Sequence, residues 1–492
     1  MWGSRTTFIL ALATAIVAAG FATPASGSTH ATASTTSSYT IWRIAGTGHQ
    51  CQAAPACAGN TTGTGALLSL PQAVAVGHDG SVYIADYGND EVRKVSPDGK
   101  ITLIAGTGVP CETVPRCGDG HSALNAQLTA PTGIAVNGKG DVFIADSGDN
   151  EIRMVTPKGI ITRVAGTGFS CAKPPACGDG GPATSARLTA PSGLALDRHG
   201  NLYIADTGDQ EIRRVSTAGQ ITRVAGTGVD CTNPSSCGNG GSPTSAKLSF
   251  PEGVAVNAAG LYIADGGDQE VRKVFKGAIT LVAGTGTACS NPHSCGDGGP
   301  ATKARLNFPD SVAVGAAGNI IIADAGDNEI RLVSSGGTIT RAAGTGSTCS
   351  SPPSCGDNGA GTGARLDYPN GVAVDGRGDI YIADTADNEV RFLSRAHVAR
   401  VGSVALAEFA AAVRPSTVVV RFVTGGGGSV TLSVSGAGKQ AVVAHGHPVA
   451  GLASIAWNRK LSGHPAPTGR YKLTLKETIG GHSGSVVFHV HL

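Results

Sequence analysis

Short apolar runs of four to six residues, rich in Val, Ile and Tyr and broken by Gly, Asn and Asp, recur along most of the chain. Residues 131–168 show one full unit: PTGIAV, a turn, DVFIAD, the turn SGDN, EIRMV, another turn, then ITRVAGTG. Runs of this length and residue type, punctuated this way, predict four antiparallel strands per unit. The unit recurs six times, and twelve cysteines mark its period, at 51/57, 111/117, 171/177, 231/237, 289/295 and 349/355. Successive pairs are spaced 60, 60, 60, 58 and 60 residues apart, a regularity that only a structural repeat maintains.

Six units of four strands predict an all-β fold, a six-bladed β-propeller with four-stranded antiparallel blades. One fourth-strand motif is surplus. TIWRIAG at 40–46 matches that strand and keeps the A-G-T-G-x-x-C continuation, whereas HVARVG at 397–402 is degenerate. The N-terminal copy is therefore expected to complete the sixth blade, which joins the ends of the ring and removes an exposed sheet edge.

Residues 404–492 carry a different set of strands, TVVVRFVT, SVTLSVS, ASIAWN, GRYKLTLKET and GSVVFHVHL. SIAWNRKLSGHPAPTGRYKLTLK resembles the immunoglobulin-like domain of flagellar hook-capping proteins, which implies an appended immunoglobulin-like β-sandwich. In the repeats, PSGLALDRHGNLYIADTGDQEIRRV at 191–215 resembles the NHL family. With the A-G-T-G and G-D-G-G-P-A-T elements, residues 39–402 look most like secreted bacterial NHL propellers and more distantly like the propeller of teneurins. The resemblance implies the fold and leaves function open, since the family includes lyases, sensor domains and interaction scaffolds.

Composition agrees with strands and tight turns: 73 glycines, 4% aromatics and 41% hydrophobic residues. Residues 1–25, with Arg5 and an apolar run from Phe8 to Phe21, read as a secretory signal, too short for a membrane span. Residues 26–38 read as a flexible Ser/Thr/Ala leader. The net charge of +2 hides an asymmetry, because eight Lys/Arg against Glu408 and Glu477 give residues 404–492 a charge of +6. Neither part is basic enough to argue for nucleic acid, though the tail invites contact with an anionic cell envelope.

The loop VAGTGFSCAKPPACGDGGP at 164–182 admits four chemistries. A phosphate cradle needs a helix after the glycines, and here they join two strands. Zinc needs converging pairs, and redox work favours C-x-x-C. A C-x5-C pair in an exported chain is expected to close its own loop, so Cys51–Cys57, Cys111–Cys117, Cys171–Cys177, Cys231–Cys237, Cys289–Cys295 and Cys349–Cys355 are each assigned a disulfide. Chain direction puts these loops and the T-G-D-N turns on one face, the expected binding surface.

Residues found in every unit serve what every unit needs. The recurring Asp86, Asp146, Asp206, Asp265, Asp324 and Asp384, with Arg93, Arg153, Arg213, Arg272, Arg331 and Arg391, read as turn caps and cross-blade ion pairs. Function is sought where the units differ. After the first-strand proline stand Gln72, Thr132, Ser192, Glu252, Asp310 and Asn370, all polar and all different. Glu252, Asp310 and Asn370 are a candidate Ca2+ set near the axis, and Gln72, Thr132 and Ser192 a candidate rim. No other cofactor is expected. The reading is a secreted, monomeric binding or scaffold protein for an extracellular protein or glycan ligand. The alternatives are a divalent-metal-dependent hydrolase or lactonase at the axis, and a polysaccharide lyase.

Overall fold

The computed structural model describes residues 39–51 and 62–492, apart from 114–116, 175–176, 234–236, 293–294, 353–354, 396–397, 402–403, 414–416, 425–427, 437–438, 449–450, 462–463 and 480–481. The signal and leader expected over 1–38, and Cys57, lie outside the described residues. The chain is all-β, built from repeated four-stranded antiparallel sheets, the arrangement expected of a β-propeller. In one of them Pro131–Val136, Val142–Asp146, Glu151–Val155 and Ile161–Ala165 follow one another in chain order. Sheets of the same order begin at Pro71, Pro191, Pro251 and Pro309.

The remaining sheet of this kind is completed from the other end of the chain. Pro369–Val374, Ile380–Asp384 and Glu389–Ser394 supply three strands, and Thr40–Ala45 pairs with the third, Ile41 facing Leu393 and Trp42 facing Phe392. The degenerate motif goes elsewhere: Val398–Val401 pairs with Val404–Val413 in the C-terminal part.

Apolar residues of neighbouring sheets interdigitate. Tyr83, Ala85 and Val92 of one pack with Leu128, Ile134 and Ile144 of the next. Trp42, Phe392 and Tyr381 of the last pack with Val74, Ile84 and Val95 of the first. The first strands touch one another in sequence, and the strand from Pro369 also touches the strand from Pro71. Small residues permit that approach, since a Cβ on Gly193 would collide with the Glu252 carbonyl oxygen, and one on Gly371 would stand 2.6 Å from the Gln72 carbonyl oxygen.

The C-terminal residues form two further four-stranded antiparallel sheets over one apolar core that includes Val420, Phe422, Leu432 and Leu473. Trp457 Nε1 donates to the Lys460 carbonyl at 2.8 Å, its ring lies 5.5 Å from that of Tyr471, and Tyr471 Oη donates to the Pro467 carbonyl at 2.7 Å.

Candidate functional site

Gln72, Thr132, Ser192, Glu252, Asp310 and Asn370 all line one cavity of roughly 260 Å3, walled by first-strand residues of all six sheets. Each side chain is half-buried. Four of the six are engaged with a neighbouring sheet. Thr132 Oγ1 donates to the Pro191 carbonyl at 3.1 Å, Ser192 Oγ to the Glu252 carbonyl at 2.7 Å, and Asn370 Nδ2 to Gln72 Oε1 at 2.6 Å. Thr207, on the same wall, donates to the Pro251 carbonyl at 2.7 Å.

Glu252 and Asp310 differ from the rest. Among the described residues neither carboxylate has a hydrogen bond or an ion pair. Burial pushes the Glu252 carboxyl above its usual range. Burial, then the Glu252 charge and then Asp324, hold Asp310 well above it, with no cation acting in the opposite sense. Asn370 adds a buried Oδ1 without a hydrogen-bond partner. The cavity therefore offers three free acceptors on consecutive repeats and little to balance their charge.

The Asp and Arg residues that recur in every repeat bond one another. Asp146 Oδ1 accepts from the Thr129 N–H at 2.7 Å, while Arg153 lies 3.2 Å from Asp146 Oδ2. Arg153 also donates to the Cys117 carbonyl at 2.9 Å and to Asp119 of the cysteine loop leading into its own sheet. Arg213, Arg331 and Arg391 match, as in Arg213 with Asp206, the Cys177 carbonyl and Asp179, while Arg272 meets Asn239 in place of a loop aspartate and Arg93 pairs with Asp86 and Glu91. The arginines therefore pair within their own repeat, and the expected cross-blade pairing falls to other side chains. Asp90, Asn150, Gln210, Gln269, Asn328 and Asn388 sit at positive φ, and the side chain of each accepts from a backbone N–H of the next sheet, as Asn150 Oδ1 does from Ala190 at 2.9 Å.

Five cysteine pairs are bonded within their own loops, with Cα–Cα separations of 5.6 to 5.8 Å. The loops also brace the sheets: the Gly120 N–H donates to the Ile161 carbonyl, and the Gly106 N–H to the Ala123 carbonyl. Sequence reasoning missed Asp149, Asp209, Asp268, Asp327 and Asp387. Each is buried, has an unpartnered Oδ2, and lies beside the disulfide of its loop. The recurring third residue of the T-G-D-N turn was the available signal.

A family model described as the teneurin NHL domain matches residues 39–106, 100–175, 162–227 and 272–354, more than half of the chain. The chain belongs to the teneurin NHL domain family. An NHL repeat model also matches residues 366–391. Teneurin-4 of Mus musculus is 29% identical over 369 residues, which is 69% of this chain and 13% of that protein. Teneurin-1 of Homo sapiens is 29% identical over 381 residues, 72% of this chain and 13% of that protein. The chain thus spans 13% of the length of these teneurins, and the match covers the NHL repeats. Among solved structures, a structural genomics protein of Bacteroides thetaiotaomicron is similar at TM-score 0.49 and 15% identity, over 72% of this chain and 76% of that one. An auxiliary nutrient binding protein of Bacteroides ovatus is similar at TM-score 0.47 and 13% identity, over 73% and 76%.

Proposed function

We propose that the chain is an exported, monomeric binding scaffold, a six-bladed propeller carrying an immunoglobulin-like sandwich, which presents its disulfide-stapled face and axial cavity to an extracellular protein or glycan. One contrast carries this reading. The Asp–Arg pairs found in every repeat are consumed in bracing their own repeat, whereas the six residues that differ converge on one cavity. Five loop disulfides support an oxidising compartment. Among the described residues no helix is long and apolar enough to cross a membrane. The +6 charge of residues 404–492 supports contact with an anionic envelope surface.

The test is display of the mature chain against glycan arrays and purified extracellular proteins. A saturable ligand, lost when the disulfides are reduced, is the expected result. Turnover of a lactone panel with no saturable ligand would overturn the scaffold in favour of a hydrolase.

That second reading rests on the unpaired carboxylates. Glu252, Asp310 and Asn370 Oδ1 are oxygen donors suited to Ca2+, which would polarise a carbonyl or activate water. The fit is partial, since Ca2+ takes six to eight oxygens and Gln72 Oε1 is already engaged by Asn370. Calorimetry with CaCl2 on the wild type and on Glu252→Gln/Asp310→Asn tests it. Sub-millimolar binding lost in the variant supports the metal, and silence in both proteins rejects it.

A further inference from the structure

A second set of positions breaks the repeat on the same three units that carry the free acceptors. The residue before the first-strand proline is Leu70, Ala130 and Ala190 in the first three units, and Phe250, Phe308 and Tyr368 in the last three. These three aromatic residues are 48%, 46% and 55% exposed. They stand at the cavity end of the strands. Ala190, their counterpart, lines the cavity, and the Phe308 ring lies 3.8 Å from where a Cβ of Gly266 would stand, at the position that Ser147 and Thr207 hold on the cavity wall. Each aromatic residue is two positions from Glu252, Asp310 or Asn370, about 7 Å along an extended chain. One half of the ring is therefore aromatic with free acceptors, and the other aliphatic with neutral, engaged side chains.

We propose that the axial cavity binds an alkylammonium group, held by Glu252, Asp310 and Asn370 Oδ1 and flanked by the aromatic side chains of Phe250, Phe308 and Tyr368. When ionised, Glu252 and Asp310 accept as Asn370 Oδ1 does, and a cationic donor is the ligand that draws them into that form against the cost of burial. Two unbalanced carboxylates select a cation over a neutral sugar. Aromatic side chains two positions from these groups suit an organic cation and do nothing for Ca2+. A cavity of roughly 260 Å3 admits a slender chain ending in ammonium and excludes a bulky ligand. A lysine side chain and a free diamine share this chemistry.

The inference rests on the axial cavity being a ligand site, and its test is separate from the display experiment. Cadaverine and Nα-acetyl-lysine N-methylamide are titrated calorimetrically into the full chain, with the Nε-acetylated lysine derivative as neutral control. Both ammonium probes are expected to bind and the control to fail. Tighter binding of the lysine derivative assigns the site to a protein ligand, and tighter binding of cadaverine to a free amine. Glu252→Gln/Asp310→Asn is expected to abolish binding with melting temperature maintained. Phe308→Ala and Tyr368→Ala are each expected to weaken it about threefold to tenfold. Equal binding of the neutral control, unchanged affinity in the carboxamide variant, or no binding by a normally melting wild type would overturn the proposal. Ligands found by display together with silence here would leave the scaffold standing and remove only the ammonium site.

Discussion

Asn388 Oδ1 accepts a 2.9 Å hydrogen bond from the backbone N–H of Leu70, 318 residues earlier in the chain. The same bond joins Asn328 to Tyr368 and Asn150 to Ala190 over 40 residues, so the contact between the last and first repeats reproduces those between sequential ones. Beside it, Thr385 Oγ1 donates to the Pro71 carbonyl at 2.7 Å.

The strand Thr40–Ala45 makes that junction a matter of stability. Trp42 is 1% exposed and packs 5.8 Å from the Phe392 ring. Trp42→Ala is expected to cost about 3–5 kcal/mol, the scale of a large cavity in a core. Asn388→Ala, which removes one acceptor, is expected to cost about 1 kcal/mol. Denaturant unfolding measures both, and a silent Trp42→Ala would show that this strand is dispensable.

Much of this was legible in the sequence, because a repeated signal is read six times over. The strands, the loop disulfides and the second use of residues 40–46 each follow from comparing copies within one chain. The arginine pairing was misassigned because sequence period cannot distinguish a partner in the same repeat from its equivalent in the next. Arg153 stays at home because the cysteine loop brings the Cys117 carbonyl and Asp119 to it. The six differing residues were legible as a set, and they line one cavity. The aromatic residues before the prolines were not singled out, since their importance comes from standing beside the cavity.

Those arginines yield the next prediction. Arg213 is fully buried, and its guanidinium serves Asp206, Asp179 and the Arg187 and Cys177 carbonyls together. Lysine keeps the charge but cannot present that fork. Arg213→Lys is expected to cost about 3 kcal/mol, the scale of a broken buried pair, and to raise protease cutting within 171–181. Wild-type stability in this variant would mean that the loop holds itself.

Each loop bond also contributes by itself. The pairs are six residues apart, and closing so short a loop restricts the unfolded chain by about 2 kcal/mol. Cys171→Ser/Cys177→Ser should therefore unfold at lower denaturant by that amount while the other loops stay intact. Non-reducing peptide mapping is expected to return intraloop peptides for all six pairs, and bonds between different loops would refute the arrangement.

The last prediction concerns pH. Burial raises Asp268, Asp324 and Asp387 to about 8 in each case, reinforced by the neighbouring Asp265, Asp327 and Asp384 respectively. Burial likewise raises Glu211 and Glu329 to about 7. In the unfolded chain such carboxyls titrate near 4. The folded state thus holds protons that the unfolded state releases. The contribution is complete below pH 4, declines above it and is gone once pH has risen through about 7 to 8. Asp79 and Asp197, lowered by turn hydrogen bonds against the cost of burial, act in the opposite sense only at acid pH. The melting temperature is therefore expected to be higher at pH 5 than at pH 8.5. Asp268→Asn isolates one member. Its Oδ2 is buried without a partner, and an amide there carries donor hydrogens at every pH and removes the repulsion from Asp265. That variant should match the wild type at pH 5 and exceed it at pH 8.5. A wild-type melting temperature that climbs steadily over this range would show that these carboxyls are ionised in the folded protein and balanced by their arginines.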